Sequence, residues 1–272
     1  MQSTENKKIP SLCLLGAIAG DVIGSAYEFH PTRTTRFELF TAGSQATDDS
    51  ILTLAVADAI LNKRSYRDCI QEYARAYPGR GYGGFFGQWI HLDDPRPYNS
   101  YGNGSAMRVS PVGWAFNSLD QVLQEAEASA AITHNHPEGI KGAQAVAVAI
   151  FLARCGAGKA DIRRETVQRF GYDLSPTLDE IRPAFQFDET CQKTVPPAML
   201  AFLESLDFED AIRKAVSLGG DADTLAAITG SIAEAFYGGV PEEIIQQVKP
   251  RLPQELWKLI ERFNQKYPIL SG

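Results

Sequence analysis

TDDSILTLAVADAI, residues 47–60, and GGDADTLAAITGSIAEAF, residues 219–236, share one plan. In each stretch, a short run of carboxylate and hydroxyl side chains leads directly into a segment whose apolar residues recur at three- and four-residue spacing. This spacing places the apolar side chains on one face of an α-helix. Each stretch is therefore predicted to be a helix that begins at an acidic turn.

The same apolar spacing recurs elsewhere in the chain, so helices dominate the predicted structure. It is found at 106–116, 143–155, 194–202 and 252–263. Alternating runs typical of strands are nearly absent, although residues 34–40 could form a short strand. We therefore predict an all-α protein, a compact orthogonal bundle of roughly a dozen helices with long functional loops.

The chain shows no division into smaller units. No fixed-period repeat, low-complexity tract or long linker interrupts it. We therefore predict a single domain over residues 1–272, in which residues 1–10 form a loose N-terminal extension.

The composition restricts the possible partners. The 272 residues include 26 Lys and Arg against 33 Asp and Glu, so the formal net charge is −7. An apolar share of 44% is that of an ordinary globular protein and excludes a disordered chain. The acidic balance argues against nucleic acids and anionic membranes as partners. No run approaches the ~20 apolar residues that a membrane-spanning helix needs.

Cysteine spacing bears on the cellular compartment. The chain has four widely separated cysteines and no C-x-x-C pair, which favours reduced thiols in a cytoplasmic protein. The alternative is secretion, because Lys7 and Lys8 precede an apolar run at 12–19. That run is short and has no polar cleavage region after it, so we favour the cytoplasmic prediction.

The two acidic turns indicate a cation site. Ser, Thr and Asp are the preferred N-cap residues, and acids in the first turn complement the helix dipole. One cap explains one such residue, but not several consecutive oxygen-bearing side chains in two places. Packing these carboxylates beside apolar helices without compensation would cost several kcal/mol. A shared cation resolves the conflict, and oxygen ligands suit Mg²⁺ or Mn²⁺ rather than zinc.

A stripe of glycines precedes the first acidic turn. Gly16, Gly20 and Gly24 fall on one side of a helix, where another backbone could approach closely. Asp21 and Glu28 are seven positions apart and share a side of any helix that continues that far. The alternative interpretation is tight packing with two exposed acids.

Three further segments have features of a binding site. Ser100 to Ser105 (SYGNGS) is a Gly-rich turn before a predicted helix, where free N–H groups could bind phosphate and Tyr101 could stack on a base. The alternative is a flexible loop with Ser105 as the N-cap. The segment RGYGGFFGQ, residues 80–88, is a second Gly-rich stretch of the same kind, with the same two interpretations. In T-H-N-H, His134 and His136 could bind zinc, but no third ligand is nearby, so a neutral hydrogen-bonding role is favoured.

Five motifs in order carry a resemblance to a known family. They are G-x-x-x-G-D at Gly16 to Asp21, T-D-D-[TS] at Thr47 to Ser50, G-N-G-x-x-x-R at Gly102 to Arg108, T-H at Thr133 and His134, and G-G-D-x-D-T at Gly219 to Thr224. Together they resemble the ADP-ribosylglycohydrolase family, typified by dinitrogenase reductase-activating glycohydrolase. Three segments, Ala26-Tyr27-Glu28, the RGYG at 80–83 and the SYGN at 100–103, look most like its mammalian serine-ADP-ribosylhydrolase branch. That branch also handles poly(ADP-ribose) and O-acetyl-ADP-ribose.

The resemblance implies an all-α fold with a binuclear Mg²⁺ centre, in which Mn²⁺ is also possible. The matching metal ligands are Thr47, Asp48, Asp49, Asp221, Asp223 and Thr224. The residues assigned to catalysis are Glu28, which matches a mobile glutamate of the branch, with Asp48, Asp49 and Asp223. The residues assigned to substrate binding are Gly81, Tyr82, Gly83, Ser100, Tyr101, Gly102, Asn103, Gly104, Ser105 and His134. Ser50 departs conservatively from the commoner TDDT, and residues 95–99 do not match the second adenine-side aromatic of the branch.

The implied activity is metal-dependent hydrolysis of the C1″ glycosidic bond of ADP-ribose. The substrate would be ADP-ribose or an ADP-ribosylated protein, modified on serine or arginine, and the enzyme is expected to be monomeric. One alternative is a binuclear hydrolase of another nucleotide or phosphoester. The other is a non-catalytic ADP-ribose-binding or structural homologue, but none of the metal-site acids is missing here.

Overall fold

The computed structural model describes residues 12–268, so the predicted extension at 1–10 lies outside the described residues. Within 12–268 every regular element is helical, and the only β-type pairing is an isolated bridge between Gly102 and Thr190. The all-α prediction is confirmed. The short strand expected at 34–40 is wrong, because this segment runs as a series of bends within a long loop.

The part of the bundle formed by residues 12–268 contains fifteen α-helices and two 3-10 turns. The α-helices are α1 (Leu15–Gly24), α2 (Asp48–Asn62), α3 (Tyr66–Ala76), α4 (Gly84–Trp89), α5 (Gly104–Met107), α6 (Ser110–Ala115), α7 (Leu119–Ala131), α8 (Pro137–Arg154), α9 (Lys159–Phe170), α10 (Leu178–Ile181), α11 (Cys191–Leu203), α12 (Phe208–Val216), α13 (Ala222–Tyr237), α14 (Glu242–Val248) and α15 (Gln254–Lys266).

The centre of the bundle is the contact between α1 and α13, and the glycine stripe makes it possible. A Cβ atom added at Gly20 would lie 2.0 Å from the carbonyl oxygen of Ala226, and one at Gly16 would lie 2.2 Å from that of Gly230. The two backbones therefore touch directly, as the spacing predicts. All ten residues of α1 are buried. This close packing fixes the start of α13 beside the end of α1.

Helix α1 ends at Gly24, so Glu28 lies on the following turn rather than on the helix. The predicted helix at 106–116 is also divided, into α5 and α6. Pro111 lies in the first turn of α6, where its missing N–H is tolerated. The other predicted helices are confirmed; the prediction at 252–263 starts two residues before α15, and the prediction at 143–155 ends one residue after α8.

The loop between α1 and α2 is held in place by two arginines, one on the loop itself and one on α12. Arg33 on the loop donates to the carbonyl oxygens of Phe185 at 2.8 Å and Leu218. Arg213 donates to the carbonyl oxygen of Phe37 at 2.8 Å. These bonds satisfy backbone carbonyls that have no partner in secondary structure. They also hold the loop that carries Glu28 against the segments before α11 and α13.

Two expectations from composition can be compared with the structure. All four cysteines are free thiols; Cys155 is exposed and the other three are buried. Across residues 12–268, no helix combines the length and the apolar character needed to cross a bilayer.

Candidate metal centre and substrate cleft

The fold brings the two acidic turns together at the first residues of α2 and α13. The Thr224 hydroxyl donates to Oδ2 of Asp49 at 3.3 Å, which joins the two helix starts directly. The Asn103 side-chain amide donates to Oδ2 of Asp221 at 2.6 Å. The metal motifs and the Gly-rich loop before α5 therefore form one site, although they are far apart in sequence.

Local backbone geometry aims these side chains. Gly219 and Gly220 have φ values of +67° and +70°, a left-handed conformation that side-chain-bearing residues rarely adopt. This double turn presents Asp221 at the start of α13. At α2 the capping residue is Thr47, whose hydroxyl accepts from the Asp49 N–H at 3.3 Å. Capping thus accounts for Thr47 and leaves the adjacent carboxylates free for another role.

Asp21 is a central residue that the sequence analysis did not include among its site residues. Its carboxylate accepts from the Thr47 N–H at 2.9 Å, the Thr47 hydroxyl at 2.6 Å, the Ser50 N–H at 3.1 Å and the Ser50 hydroxyl. Asp21 is completely buried and Glu28 is half-buried, so the alternative of two exposed acids is wrong. In the sequence, its position as the last residue of the G-x-x-x-G-D motif is the feature that points to a role for Asp21 in the site.

Two groups of carboxylates could each hold a cation. Side-chain oxygens of Asp21, Asp49 and Asp223 lie within 4.8 Å of one another, as do those of Glu28, Asp221 and Asp223. Asp223 belongs to both groups. Oδ1 of Asp49 is buried and has no hydrogen-bond partner among the described residues. A buried, unpartnered oxygen in a carboxylate cluster fits a hard divalent cation such as Mg²⁺ or Mn²⁺.

Asp48 occupies a neighbouring position outside both groups. Its backbone N–H donates to the Arg80 carbonyl oxygen at 2.8 Å. A Cβ atom added at Gly81 would lie 3.2 Å from Oδ1 of Asp48. The left-handed turn at Gly81, with φ of +99°, therefore packs against this carboxylate and joins the RGYG segment to the acidic site.

The acids of the site hold their protons unusually tightly. Burial, followed by the charge of Asp21, raises the pKa of Asp48 to about 8. Burial and the charge of Asp221 raise the pKa of Glu28 to about 7. Burial and neighbouring carboxylates raise the pKa of Asp223 well above its ordinary value. A bound cation would reverse these shifts, because it favours the charged form of each acid.

The carboxylates line a cleft of about 270 Å³. The predicted site residues that line it are Glu28, Thr47, Asp48, Asp49, Gly81, Gly83, Ser100, Gly102, Asn103, Gly104, His134, Asp221, Asp223 and Thr224. Three predicted binding residues, Tyr82, Tyr101 and Ser105, are not part of this lining. Most of the predicted set is thus assembled around one cavity, while the individual roles stay predictions.

The three residues outside the lining make other contacts. The Tyr82 hydroxyl donates to the Tyr77 carbonyl oxygen at 2.9 Å, and the buried Ser105 hydroxyl donates to that of Gly139 at 2.7 Å. Tyr101 is half-exposed and meets the His136 ring edge-on, with 5.2 Å between the ring centroids. The Tyr82 and Ser105 hydroxyls serve the fold here, and Tyr101 keeps an accessible ring.

The two histidines of T-H-N-H make different contacts. Nδ1 of His136 accepts from the Glu138 N–H at 3.1 Å and caps α8. Nδ1 of His134 lies 2.7 Å from the Thr133 hydroxyl. In residues 12–268, neither carboxylate group that could hold a metal includes a histidine. The contacts therefore favour the hydrogen-bonding role over the zinc alternative.

Several cleft residues stand outside the set assigned to the site from the sequence, although Gly84 and Arg108 belong to motifs that the sequence analysis quotes. They are Leu52, Arg80, Gly84, Phe85, Phe86, Tyr98, Met107, Arg108, Phe187 and Glu189. Phe85 and Phe187 are 78% and 51% exposed, so the cleft has an aromatic margin. The Gly-rich RGYGGFFGQ segment already contained Phe85, but Phe187 and Glu189 come from a segment without a recognisable motif.

Comparison with known proteins places this site in a family. The sequence profile described as ADP-ribosylglycohydrolase matches residues 11–269. The chain belongs to the ADP-ribosylglycohydrolase family. It is 28% identical to the human ADP-ribosylhydrolase ARH3, over 85% of this chain and 86% of that protein. It is 26% identical to the ADP-ribosylarginine hydrolase Tri1 of Pseudomonas putida, over 95% of this chain and 80% of Tri1.

A solved structure agrees with this assignment. An ADP-ribosylglycohydrolase-related protein complex contains a chain that superposes with a TM-score of 0.72 at 25% identity, covering 93% of this chain and 96% of that one. The motifs that carried the resemblance to the ADP-ribosylglycohydrolases all line or support the cleft. We therefore take the cleft as the candidate active site of this ADP-ribosylglycohydrolase.

Proposed function

We propose that this chain hydrolyses the C1″ glycosidic bond that joins ADP-ribose to a protein side chain, with two divalent cations, Mg²⁺ or Mn²⁺, as cofactors. The observation that carries the proposal is the pair of carboxylate groups that share Asp223 at the cleft. Two neighbouring groups with a common member suit a binuclear centre. Family membership supplies the ADP-ribose glycohydrolase class.

The residues that would hold the cations are on three elements. Asp49 and Asp223 would serve one ion with the hydroxyls of Thr47 and Thr224 nearby, and Glu28 and Asp221 would serve the other. When bound, the cations supply Lewis-acid stabilisation and orientation of the sugar hydroxyls. Asp21 orients Thr47 and the start of α2, which positions the neighbouring Asp49.

Glu28 is the best placed residue for proton transfer. It lies on a turn rather than on a helix, and its half-buried side chain lines the cleft. A carboxyl group in this position can act as a general acid or base on a substrate bound in the cleft. We propose that Glu28 transfers a proton to the leaving oxygen or nitrogen, or takes one from water.

The remainder of the cleft would hold the nucleotide part of the substrate. Ser100, Gly102, Asn103 and Gly104 line the cleft along one loop, and His134 lies against that loop. These groups would bind the diphosphate and the distal ribose. Tyr101, exposed beside the loop, would stack on adenine.

The bond that the enzyme cuts, its oligomeric state and its cellular compartment are further parts of the proposal. Glu28 together with the Ser100-Tyr101 pair favours an O-linked substrate such as ADP-ribosylserine, whereas the similarity to Tri1 keeps ADP-ribosylarginine in the comparison. We propose a monomer that acts in the cytoplasm. Sedimentation velocity over a range of concentrations and localisation of a tagged chain test these two points.

A linkage panel tests the activity. Peptides ADP-ribosylated on serine or on arginine, and poly(ADP-ribose), would be incubated with the protein in Mg²⁺ or in EDTA. We expect release of ADP-ribose from at least one substrate in Mg²⁺ only. Asp221→Asn should reduce the rate at least ~100-fold, because it removes a ligand charge at the centre.

A matched control uses Asp58→Asn, at a buried aspartate that pairs with Arg64 at 2.7 Å outside the cleft. This variant should retain the wild-type rate per folded molecule. Full activity of Asp221→Asn, or undiminished activity in EDTA, would contradict the metal assignment. ADP-ribose binding without turnover of any substrate would favour the non-catalytic alternative.

A further inference from the structure

Arg108 is a fully buried guanidinium beside the cleft. Only 1% of its surface is exposed, and among the described residues it forms no ion pair with a carboxylate. Its Nε has no hydrogen-bond partner in residues 12–268. Buried charges are normally paired because desolvation is costly. An unpaired guanidinium in this position therefore calls for an explanation beyond packing.

The Thr133 hydroxyl connects the Arg108 guanidinium to His134, which lines the cleft. Nη2 of Arg108 donates to the Thr133 hydroxyl at 2.9 Å and to the Ser129 carbonyl oxygen at 3.3 Å. Arginine can only donate, so the Thr133 hydroxyl must accept from it. The other contact of that hydroxyl is Nδ1 of His134, at 2.7 Å.

This arrangement selects one form of His134. Thr133 is completely buried, and its hydroxyl hydrogen has no acceptor among the described contacts except Nδ1 of His134. If Nδ1 instead carried a proton, the Thr133 hydrogen would be left buried without a partner, which costs about 1–3 kcal/mol. The imidazole is therefore neutral, with its hydrogen on Nε2. Burial and the charge of Arg108 also lower the pKa of His134 well below its usual value, which agrees with a neutral ring.

The Nε2 atom faces the Gly-rich loop that lines the cleft. A Cβ atom at Gly104 would lie 3.1 Å from Nε2, and one at Gly102 would lie 3.5 Å from it. Glycine at both positions thus keeps this edge of the ring uncovered. A donor whose orientation is fixed before the substrate arrives loses little freedom on binding.

We propose that Arg108 and Thr133 are positioning residues that hold His134 as an Nε2–H donor for a phosphate oxygen of the substrate. The inference rests on the proposed function, because ADP-ribose supplies the diphosphate. The positive charge of Arg108, one hydroxyl away from the His134 ring, favours an anionic acceptor there. It also supplies part of the positive field that an acidic protein needs to bind a diphosphate.

Nitrogen NMR of histidine tests the proposal directly. Protein labelled with ¹⁵N-histidine distinguishes the two neutral tautomers, since protonated and unprotonated ring nitrogens resonate far apart. Of the four histidines, the resonances of His134 are assigned as those missing in His134→Gln. We expect a proton on Nε2 and none on Nδ1 in the wild-type protein, before any ligand is added.

A pair of variants connects the tautomer to binding. Thr133→Val removes the hydroxyl but keeps the shape, so His134 should become a mixture of tautomers and the Kd for ADP-ribose should rise about ten-fold. Thr133→Ser keeps the hydroxyl, so it should retain the single tautomer of His134 and the wild-type Kd for ADP-ribose. In turnover assays KM should change more than kcat, because the residue acts on binding of the diphosphate.

The results that would overturn the proposal are specific. They are a wild-type His134 with its proton on Nδ1, or a folded Thr133→Val with an unchanged tautomer and unchanged affinity. The wild-type spectrum decides the matter even if Thr133→Val does not fold. Failure of the proposed function would look different, since the wild-type protein would neither bind nor hydrolyse ADP-ribose conjugates whatever the state of His134.

Discussion

At the scale of single residues, the acids of the site divide into those satisfied by the fold and those that are not. Asp21 accepts four hydrogen bonds from Thr47 and Ser50, which compensate much of the cost of its burial. Within residues 12–268, Asp49 has a buried oxygen without a hydrogen-bond partner. The hydrogen bond that Asp223 accepts in the same part of the chain comes from the backbone N–H of Thr224, at 3.0 Å. The second kind of acid is stable in its charged form only next to a cation.

This difference predicts that Asp223→Asn will stabilise the metal-free protein. In EDTA at pH 8 we expect its free energy of unfolding to rise by about 1–2 kcal/mol, because a buried carboxyl repelled by its neighbours is replaced by a neutral amide. The same variant should lose the stabilisation that Mg²⁺ gives to the wild type. Urea denaturation with and without Mg²⁺ measures both effects.

Asp58→Asn is the matched control, because Asp58 is buried but paired with Arg64. It should destabilise the protein by a similar amount in EDTA and in Mg²⁺. If Asp223→Asn instead destabilised the EDTA-treated protein as Asp58→Asn does, the carboxylate of Asp223 would be a structural acid and the cation hypothesis would lose its main support.

At the scale of helices, the contact of α1 with α13 fixes the site. Gly20→Ala would bring a Cβ to 2.0 Å from the Ala226 carbonyl oxygen, a backbone atom that cannot move aside. We expect a loss of about 3 kcal/mol of stability and a comparable loss of Mg²⁺ binding, since α13 carries Asp223. Thermal unfolding and calorimetric Mg²⁺ titration would show this.

Gly87→Ala provides the control within α4. Nothing lies within 4 Å of a Cβ added there, so the change removes only the conformational freedom of a helical glycine. Its stability should be equal to that of the wild type or higher by up to ~1 kcal/mol. Equal effects of the two substitutions would show that α1 and α13 do not depend on close backbone contact.

The same helices show what can be predicted from sequence. Apolar spacing located α2 and α13, and the excess of acids over what capping requires indicated a shared cation site between them. The burial of Asp21 and the early end of α1 before Glu28 depend on how these helices pack. Phe187 and Glu189 join the cleft only because the segment before α11 pairs with the Gly-rich loop, where the Glu189 carbonyl oxygen accepts from the Asn103 N–H at 2.6 Å. No local pattern encodes such long-range contacts.

At the scale of the whole molecule, the net charge of −7 is distributed unevenly. Six acids line the cleft together with two arginines, whereas Arg33 and Arg213 hold the surrounding loops by donating to backbone carbonyls. Part of the positive charge therefore serves the loops and does not neutralise the cleft. Cation binding then becomes the main route by which the cleft gains a positive field for a diphosphate.

Stability should consequently depend on pH in opposite ways with and without metal. In EDTA, Glu28 with a pKa of about 7 and Asp48 with one of about 8 bind protons more tightly in the folded state than in the unfolded state, where the pKa values are near ~4. Their contribution is fully present below about pH 4 and is lost as the pH rises to about 8, so the free energy of unfolding should fall over this range. With Mg²⁺ the charged acids are neutralised, and the stabilisation by metal should grow over the same range.

Chemical denaturation in EDTA, in MgCl₂, and in NaCl of equal ionic strength would separate specific binding of Mg²⁺ from screening of the charges by salt. An increment from Mg²⁺ that is independent of pH, or matched by NaCl, would show that the charge of these acids is not coupled to cation binding in the cleft.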